Sequence, residues 1–177
     1  MSISLAIDTS TSRTIVGVIQ DGITLFEKFH EGATDHGRAL SQLVAEALKV
    51  SAPPQQVVVG MGPGPFTGLR VGISFAHTFG LARNIPVIGI CSLDAIDIDQ
   101  SEYTVAIDAR RKEIYWARYK DGHRVEGPTV SKPAEVDGFI IDHYPDMKKL
   151  VSLATSQNIT EPMYLRRPDA VPTAERT

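Results

Sequence analysis

The chain has 177 residues, with 18 Lys and Arg against 21 Asp and Glu, a formal charge of −3, and a mean hydropathy of −0.06. That balance leaves no electrostatic footprint for nucleic-acid binding by this chain alone. A single Cys excludes an intrachain disulfide framework.

Ile3 to Asp8 reads as a strand that ends on a carboxylate, and Thr9 to Arg13 as the polar turn after it. Ile15 to Ile19 is a second predicted strand, Asp21-Gly22 a two-residue hairpin signal, and Ile23 to Phe29 a third strand. Leu40, Leu43, Val44, Ala47 and Leu48 follow helical spacing. Asp35 is the expected cap of that helix and Pro53-Pro54 its stop, which places an amphipathic helix over 36–50. The N-terminus has no basic n-region and only a short apolar run, and no segment is long and apolar enough to span a bilayer. A cytoplasmic protein is expected, and Cys91 is read as a core residue rather than a nucleophile.

The most informative stretch is Gly60-Met61-Gly62-Pro63-Gly64-Pro65-Phe66-Thr67-Gly68-Leu69-Arg70-Val71-Gly72, entered by a strand over 57–59 and left by a helix over about 66–83. A glycine-rich strand-to-helix turn commonly cradles phosphate. Here Pro63 and Pro65 remove two N–H donors, and the Lys of a P-loop and the spacing of a dinucleotide fingerprint are both missing. Thr67 is expected as a cap or in the first turn. Gly68, Gly72, Ala76 and Gly80 recur every fourth residue and form one stripe of small residues, each glycine costing about 1 kcal/mol in a helix interior. Another backbone must come close there. Leu69, Val71, Ile73, Phe75, Phe79 and Leu81 make the other faces apolar, so the helix is expected to be buried all round, with His77 buried or in an interface. Either the helix at 36–50 covers it from within, or part of the surface is a subunit interface. The interface candidates are Phe66, Gly68, Leu69, Val71, Gly72, Phe75, Ala76, Phe79 and Gly80, with Leu40, Leu43 and Val44. Pro86 to Cys91 is a further buried strand.

Near residue 100 the pattern restarts. Leu5-Ala6-Ile7-Asp8 is echoed by Val105-Ala106-Ile107-Asp108, and Asp21-Gly22 by Asp121-Gly122, so both Asp-to-turn intervals agree. Glu113 to Tyr119 alternates as a strand, as Ile15 to Ile19 does. This is an internal duplication, with a lobe over 1–100 and a second, trimmed lobe with its tail over 101–177. The second lobe has one plausible helix, Asp146 to Ala154.

A duplicated βββαβαβ lobe, each copy opening on a strand that ends in Asp, resembles the actin-like ATPase superfamily (ASKHA, ribonuclease H-like). Within it, Ala6-Ile7-Asp8-Thr9-Ser10-Thr11-Ser12, the glycine stretch over 62–72, Ile107-Asp108-Ala109-Arg110-Arg111-Lys112-Glu113-Ile114-Tyr115 and the tail Pro162-Met163-Tyr164-Leu165-Arg166-Arg167-Pro168-Asp169 resemble the TsaB (YeaZ) family. Pro65 stands where the family usually has Ser, and the stretches after Leu93 and Val136 are shorter than usual. The resemblance implies a role in forming N6-threonylcarbamoyladenosine at position 37 of tRNAs that read codons starting with A. It implies a non-catalytic partner of a TsaD-like transferase, joined by a TsaE-like ATPase, with homodimers through the first-lobe helices and tRNA met only through the complex. No cofactor is implied for this chain itself; ATP or ADP and a metal would belong to the complex with the partner.

Three other chemistries compete. The superfamily holds phosphates and a metal at its two Asp turns, so Asp8, Thr9, Ser10, Asp108, Arg110 and Arg111 are candidate vestigial nucleotide contacts in a weak ATPase or phosphotransferase. Against that, both aspartates can simply cap their turns, and the first turn lacks a glycine for close approach to phosphate. A metallopeptidase needs paired metal ligands, and none of the five histidines, His30, His36, His77, His123 and His143, forms H-x-x-x-H. Direct tRNA binding would draw on Tyr115, Trp116 and Tyr119 near Arg110, Arg111, Lys112 and Arg118, but strand alternation sends these to opposite faces.

Overall fold

The computed structural model describes residues 2–166, so Arg167, Pro168 and Asp169 of the tail lie outside the described residues. Strands β1 (Ile3–Asp8), β2 (Arg13–Gln20), β3 (Ile23–Glu31), β4 (Gln56–Gly60) and β5 (Val87–Ile90) form one sheet in the order β3-β2-β1-β4-β5. The hairpin strands pair antiparallel, and β4 pairs parallel with β1 and β5. Strands β6 (Glu102–Asp108), β7 (Ile114–Lys120), β8 (His123–Ser131) and β9 (Phe139–Ile140) form the second sheet in the order β8-β7-β6-β9. The order 3-2-1-4 thus occurs twice, and both Asp-Gly turns have positive φ at both residues: 48° and 79° at Asp21-Gly22, 49° and 77° at Asp121-Gly122. This is the twist-matched hairpin turn that Asp-Gly favours. The fold is the duplicated actin-like one, and its second copy is reduced. A single 3₁₀ turn, Pro133–Glu135, stands between β8 and β9, where the first copy has helix α1 (His36–Ala47) between β3 and β4.

Helices α1 and α2 (Phe66–Arg83) cover one face of the first sheet. Leu40, Leu43 and Val44 of α1 and Leu69, Ile73 and Ala76 of α2 join Leu5, Ile7, Val57 and Val59 in its core. The other face is covered from the second half of the chain. Helix α3 (Met147–Ser152) lays Met147 and Leu150 on Ala6, Ile15, Ile19, Val58 and Ile90. Covered on both sides, β4 and, apart from the buried Ser4, β1 read as near-continuous apolar runs rather than as alternation. Gly17 of β2 makes room for α3, since a Cβ there would stand 2.7 Å from the Met147 Cβ.

Local details depart from sequence expectation in instructive ways. Asp35 does precede α1, but its carboxylate makes no capping hydrogen bond and pairs with Arg38 instead. Pro65 occupies the cap position of α2, which puts Thr67 in the exposed first turn. Asn84 ends α2 in the left-handed region at φ 53°, its N–H returning to the Gly80 carbonyl. Asp146 caps α3 by accepting from the Lys149 N–H at 2.6 Å.

Helix α2 is not buried all round. Its small stripe points inward, while Phe66 is 48% and Leu81 85% exposed and His77 lies in solvent. The stripe serves the chain's own packing: a Cβ at Gly68 would stand 2.6 Å from the Thr9 carbonyl oxygen, and Cβ atoms at Gly72 and Gly80 would collide with Thr9 and Val87. The close backbone is that of the β1–β2 turn.

Candidate functional site

Asp8 ends β1 fully buried, and so do Thr9 and Ser10 beside it. The Asp8 carboxylate accepts from the Ser10 N–H at 2.8 Å, the Ser10 hydroxyl at 2.7 Å and the Ser92 hydroxyl at 2.6 Å. Ser92 in turn joins the glycine loop: its N–H donates to the Gly62 carbonyl at 2.8 Å and its oxygen accepts from the Gly62 N–H at 3.2 Å. The loop lies directly on the turn. A Cβ at Gly60 would collide with the Asp8 carboxylate, and one at Gly64 would come 2.8 Å from the Ser10 Cα. The glycines therefore permit backbone-on-backbone packing, and the space a phosphate would need beside Asp8 is filled by 60–64. Asp8, Thr9 and Ser10 cannot meet a nucleotide from solvent, which corrects their reading as vestigial phosphate contacts. Burial pushes the Asp8 carboxyl above the ordinary carboxylate range, against the pull of its hydroxyl and N–H donors.

The second Asp turn is open. Asp108 is exposed; it accepts from the Arg110 N–H at 2.8 Å and faces the Arg110 guanidinium at 3.6 Å. Arg110, Arg111 and Lys112 run in the left-handed region, at φ 63°, 55° and 62°. Asp108 and Arg110 line a cleft of about 240 Å³ between the lobes, which Thr11, Ser12 and Pro65 border on one side and Asp142, His143 and Tyr144 on the other. Of the six nucleotide candidates, the structure leaves Asp108 and Arg110 at an accessible cleft, with Arg111 exposed on the same turn. A nucleotide held at the Asp8 carboxylate does not fit this arrangement, because that end of the first turn is closed by the glycine loop; Thr11 and Ser12 are what the turn presents to the cleft.

The interface candidates divide. Gly68, Leu69, Gly72, Ala76, Gly80, Leu40, Leu43 and Val44 are inside the first lobe and cannot touch a partner without unfolding it. Phe66 is exposed, and Val71, Phe75 and Phe79 are half-buried at the core's edge. Phe75 stacks on Phe79 with ring centroids 6.0 Å apart. The Arg70 guanidinium lies 5.2 Å from the Phe66 ring, and that of Arg83 5.4 Å from Phe79. Phe66, Thr67, Arg70, Val71 and Ser74 border a shallow groove of about 380 Å³.

Sequence reasoning missed the polar knot between the lobes. Asp94, in the 3₁₀ turn Ser92–Ala95, accepts from the Tyr119 hydroxyl at 2.7 Å and the Gln157 amide at 2.8 Å, and Arg124 faces it at 3.5 Å. The partners are 25 to 63 residues away along the chain, and no local motif marks them. The aromatic set weighed for stacking on RNA is buried as well as split between faces: Tyr115, Trp116 and Tyr119 are 4%, 7% and 3% exposed. Among the described residues, no three His, Cys, Asp or Glu side chains gather closely enough to hold a metal, and no helix is long and apolar enough to cross a membrane.

The family described as TsaD, tRNA N6-adenosine threonylcarbamoyltransferase, matches residues 30–171. An uncharacterised protein of Mycobacterium tuberculosis is 39% identical over 98% of this chain and 96% of its own length; the aligned span of 203 residues is longer than the whole chain, so that relative carries extra residues within it. A Mycobacterium leprae relative, also uncharacterised, is 40% identical over 97% of the chain, and the tRNA threonylcarbamoyladenosine biosynthesis protein TsaB of Escherichia coli is 32% identical over 73% of it. The chain spans only 57% and 62% of those two proteins. Among solved structures, a Pseudomonas aeruginosa protein described as similar to peptidase YEAZ superposes with a TM-score of 0.80 at 23% identity, covering 94% of this chain and 100% of that one. YeaZ from the same organism gives 0.71 at 23% identity, covering 88% and 91%. With the family match covering residues 30–171, most of the chain, and the Escherichia coli TsaB 32% identical over 73% of it, the chain belongs to the TsaB (YeaZ) family.

Proposed function

We propose that this chain is the non-catalytic partner of a TsaD-like transferase in forming N6-threonylcarbamoyladenosine at position 37 of tRNAs that read codons starting with A. The observation that carries this reading is the closure of the Asp8 end of the first turn by the glycine loop, with Asp8, Ser10 and Ser92 fully buried and bonded to one another. A chain so built works through its surface, and the outer face of α2 supplies an apolar strip flanked by arginines. In this reading a TsaE-like ATPase joins the pair, and tRNA is met through the assembly in the cytoplasm. ATP or ADP with its metal belongs to the complex, and this chain requires none for itself. Self-association through the same face is the weaker use of it, because α2 carries Arg70 and Arg83 and no carboxylate.

The test is reconstitution. Transfer of the threonylcarbamoyl group to tRNA is measured with the transferase subunit alone, with this chain alone and with both. Activity only in the mixture, with no ATP turnover by this chain alone, supports the proposal. The cleft at Asp108 and Arg110 favours a second reading, an independent weak ATPase. Steady ATP hydrolysis by the isolated chain, lost in Asp108→Ala, would establish that reading and displace the first.

A further inference from the structure

After α3 the chain returns across the first lobe as a strap. The Gln157 side chain accepts from the Cys91 N–H at 3.4 Å and donates to Asp94. The Ile159 N–H donates to the Gly89 carbonyl at 2.8 Å, and the Met163 N–H to the Met61 carbonyl at 2.8 Å, on the glycine loop. Met163 and Leu165 pack into the core of the second sheet, and Arg166 pairs with Glu113. Tyr164, between two inward residues, is turned out. Its ring is 40% exposed and lies on Phe66, centroids 4.9 Å apart, with planes inclined at 47°.

Tyr164, Phe66 and Arg70 thus form one exposed cluster at the N-terminal end of α2, beside the groove that runs to Ser74. Aromatic and arginine clusters of this kind dominate binding energy at protein interfaces. Tyr164 is also held before any partner arrives, because both of its neighbours are anchored, and a side chain ordered in advance loses less entropy on binding. The charge on α2 selects the partner: Arg70 and Arg83 stand on a helix without Asp or Glu. A second copy would bring like charges together, whereas an apolar helix edged with carboxylates would neutralise them.

We infer that Tyr164 of the strap is a partner-contact residue, and that the docking surface is a composite of α2 and the strap that takes an acidic, apolar helical face of the transferase subunit. This rests on the partner role proposed above. The experiment is calorimetric titration of the full chain with purified transferase subunit from the same genome, for the wild type and for Tyr164→Ala, Tyr164→Phe and Arg70→Glu. Melting of each free variant is recorded alongside. Tyr164→Ala is expected to bind about tenfold more weakly, Tyr164→Phe as the wild type, and Arg70→Glu more weakly, all with unchanged melting temperatures. Binding of Tyr164→Ala at wild-type affinity, or more tightly because the strap occludes the face, overturns the inference while the partner role stands. No binding by the wild type removes both. Self-association of the wild type as tight as its binding to the transferase subunit, and lost in Tyr164→Ala, would make the occupant a second copy and overturn the acidic-partner assignment.

Discussion

The Asp8 carboxylate and the Ser92 hydroxyl, 84 residues apart in sequence, meet at 2.6 Å in the interior. This bond ties the end of β1 to the segment after β5 and, through Ser92, to the glycine loop. Asp8→Ala would leave the Ser92 hydroxyl and the Ser10 N–H without an acceptor in the buried interior, at a cost of about 2–3 kcal/mol. Urea unfolding should show that loss.

Asp8 also gives stability a pH signature. Its folded pKa is raised by burial, so between the ordinary carboxylate range and that raised value the folded state holds a proton that the unfolded state has released. The contribution is present in full below the unfolded pKa and is lost as pH rises through the window. Asp8→Asn should remove this slope from a series of unfolding curves measured upward from about pH 4, whatever its effect on absolute stability.

His36 has the opposite sign. It is buried beneath α2, its Nδ1 2.8 Å from the Thr14 hydroxyl, and burial lowers its pKa. Stability from this group is present above the ordinary histidine pKa of about 6.5 and is lost as pH falls through the depressed folded value. Titration of the His36 ring by NMR should show the shift directly; a normal titration would contradict it.

Gly72 was read from sequence as a point of contact with another subunit, and the structure turns it onto Thr9. Gly72→Ala should therefore destabilise the free chain by about 1–3 kcal/mol through overpacking, visible in thermal melting with no partner present. Phe66→Ala on the opposite side should leave melting unchanged and weaken partner binding about tenfold.

Cys91 is fully buried, and its thiol is pushed up to about 12, first by desolvation and then by the Asp94 charge. At pH 8 almost none of it is thiolate, and the thiolate is the reactive form. Ellman's reagent should leave the native chain unmodified and react promptly in urea. Prompt reaction without denaturant would contradict this burial.

Much of the fold was legible because it is written locally. The Asp-Gly pairs predict two hairpin turns, and both have the required backbone. The apolar run from Phe66 to Arg83 predicts α2 with its observed limits. The direction of the small stripe was not legible: periodicity shows that Gly68, Gly72, Ala76 and Gly80 share a face, not which backbone fills it. Alternation along β7 argued against a shared stacking face for Tyr115, Trp116 and Tyr119, but it could not say that both faces of β7 are covered. Asp94 and Tyr164 act through partners brought together only by the folded chain, so neither stood out.

The covering of the first sheet by α3 has a consequence for synthesis on the ribosome. Ala6, Ile15, Ile19, Val58 and Ile90 have emerged long before Met147 and Leu150, which shield them. Until then the nascent chain exposes one apolar side of a finished sheet, a surface prone to aggregation and to chaperone capture. Translation arrested before α3 should yield a sticky intermediate, and release of the remaining residues from Met147 onward should clear it in a single step.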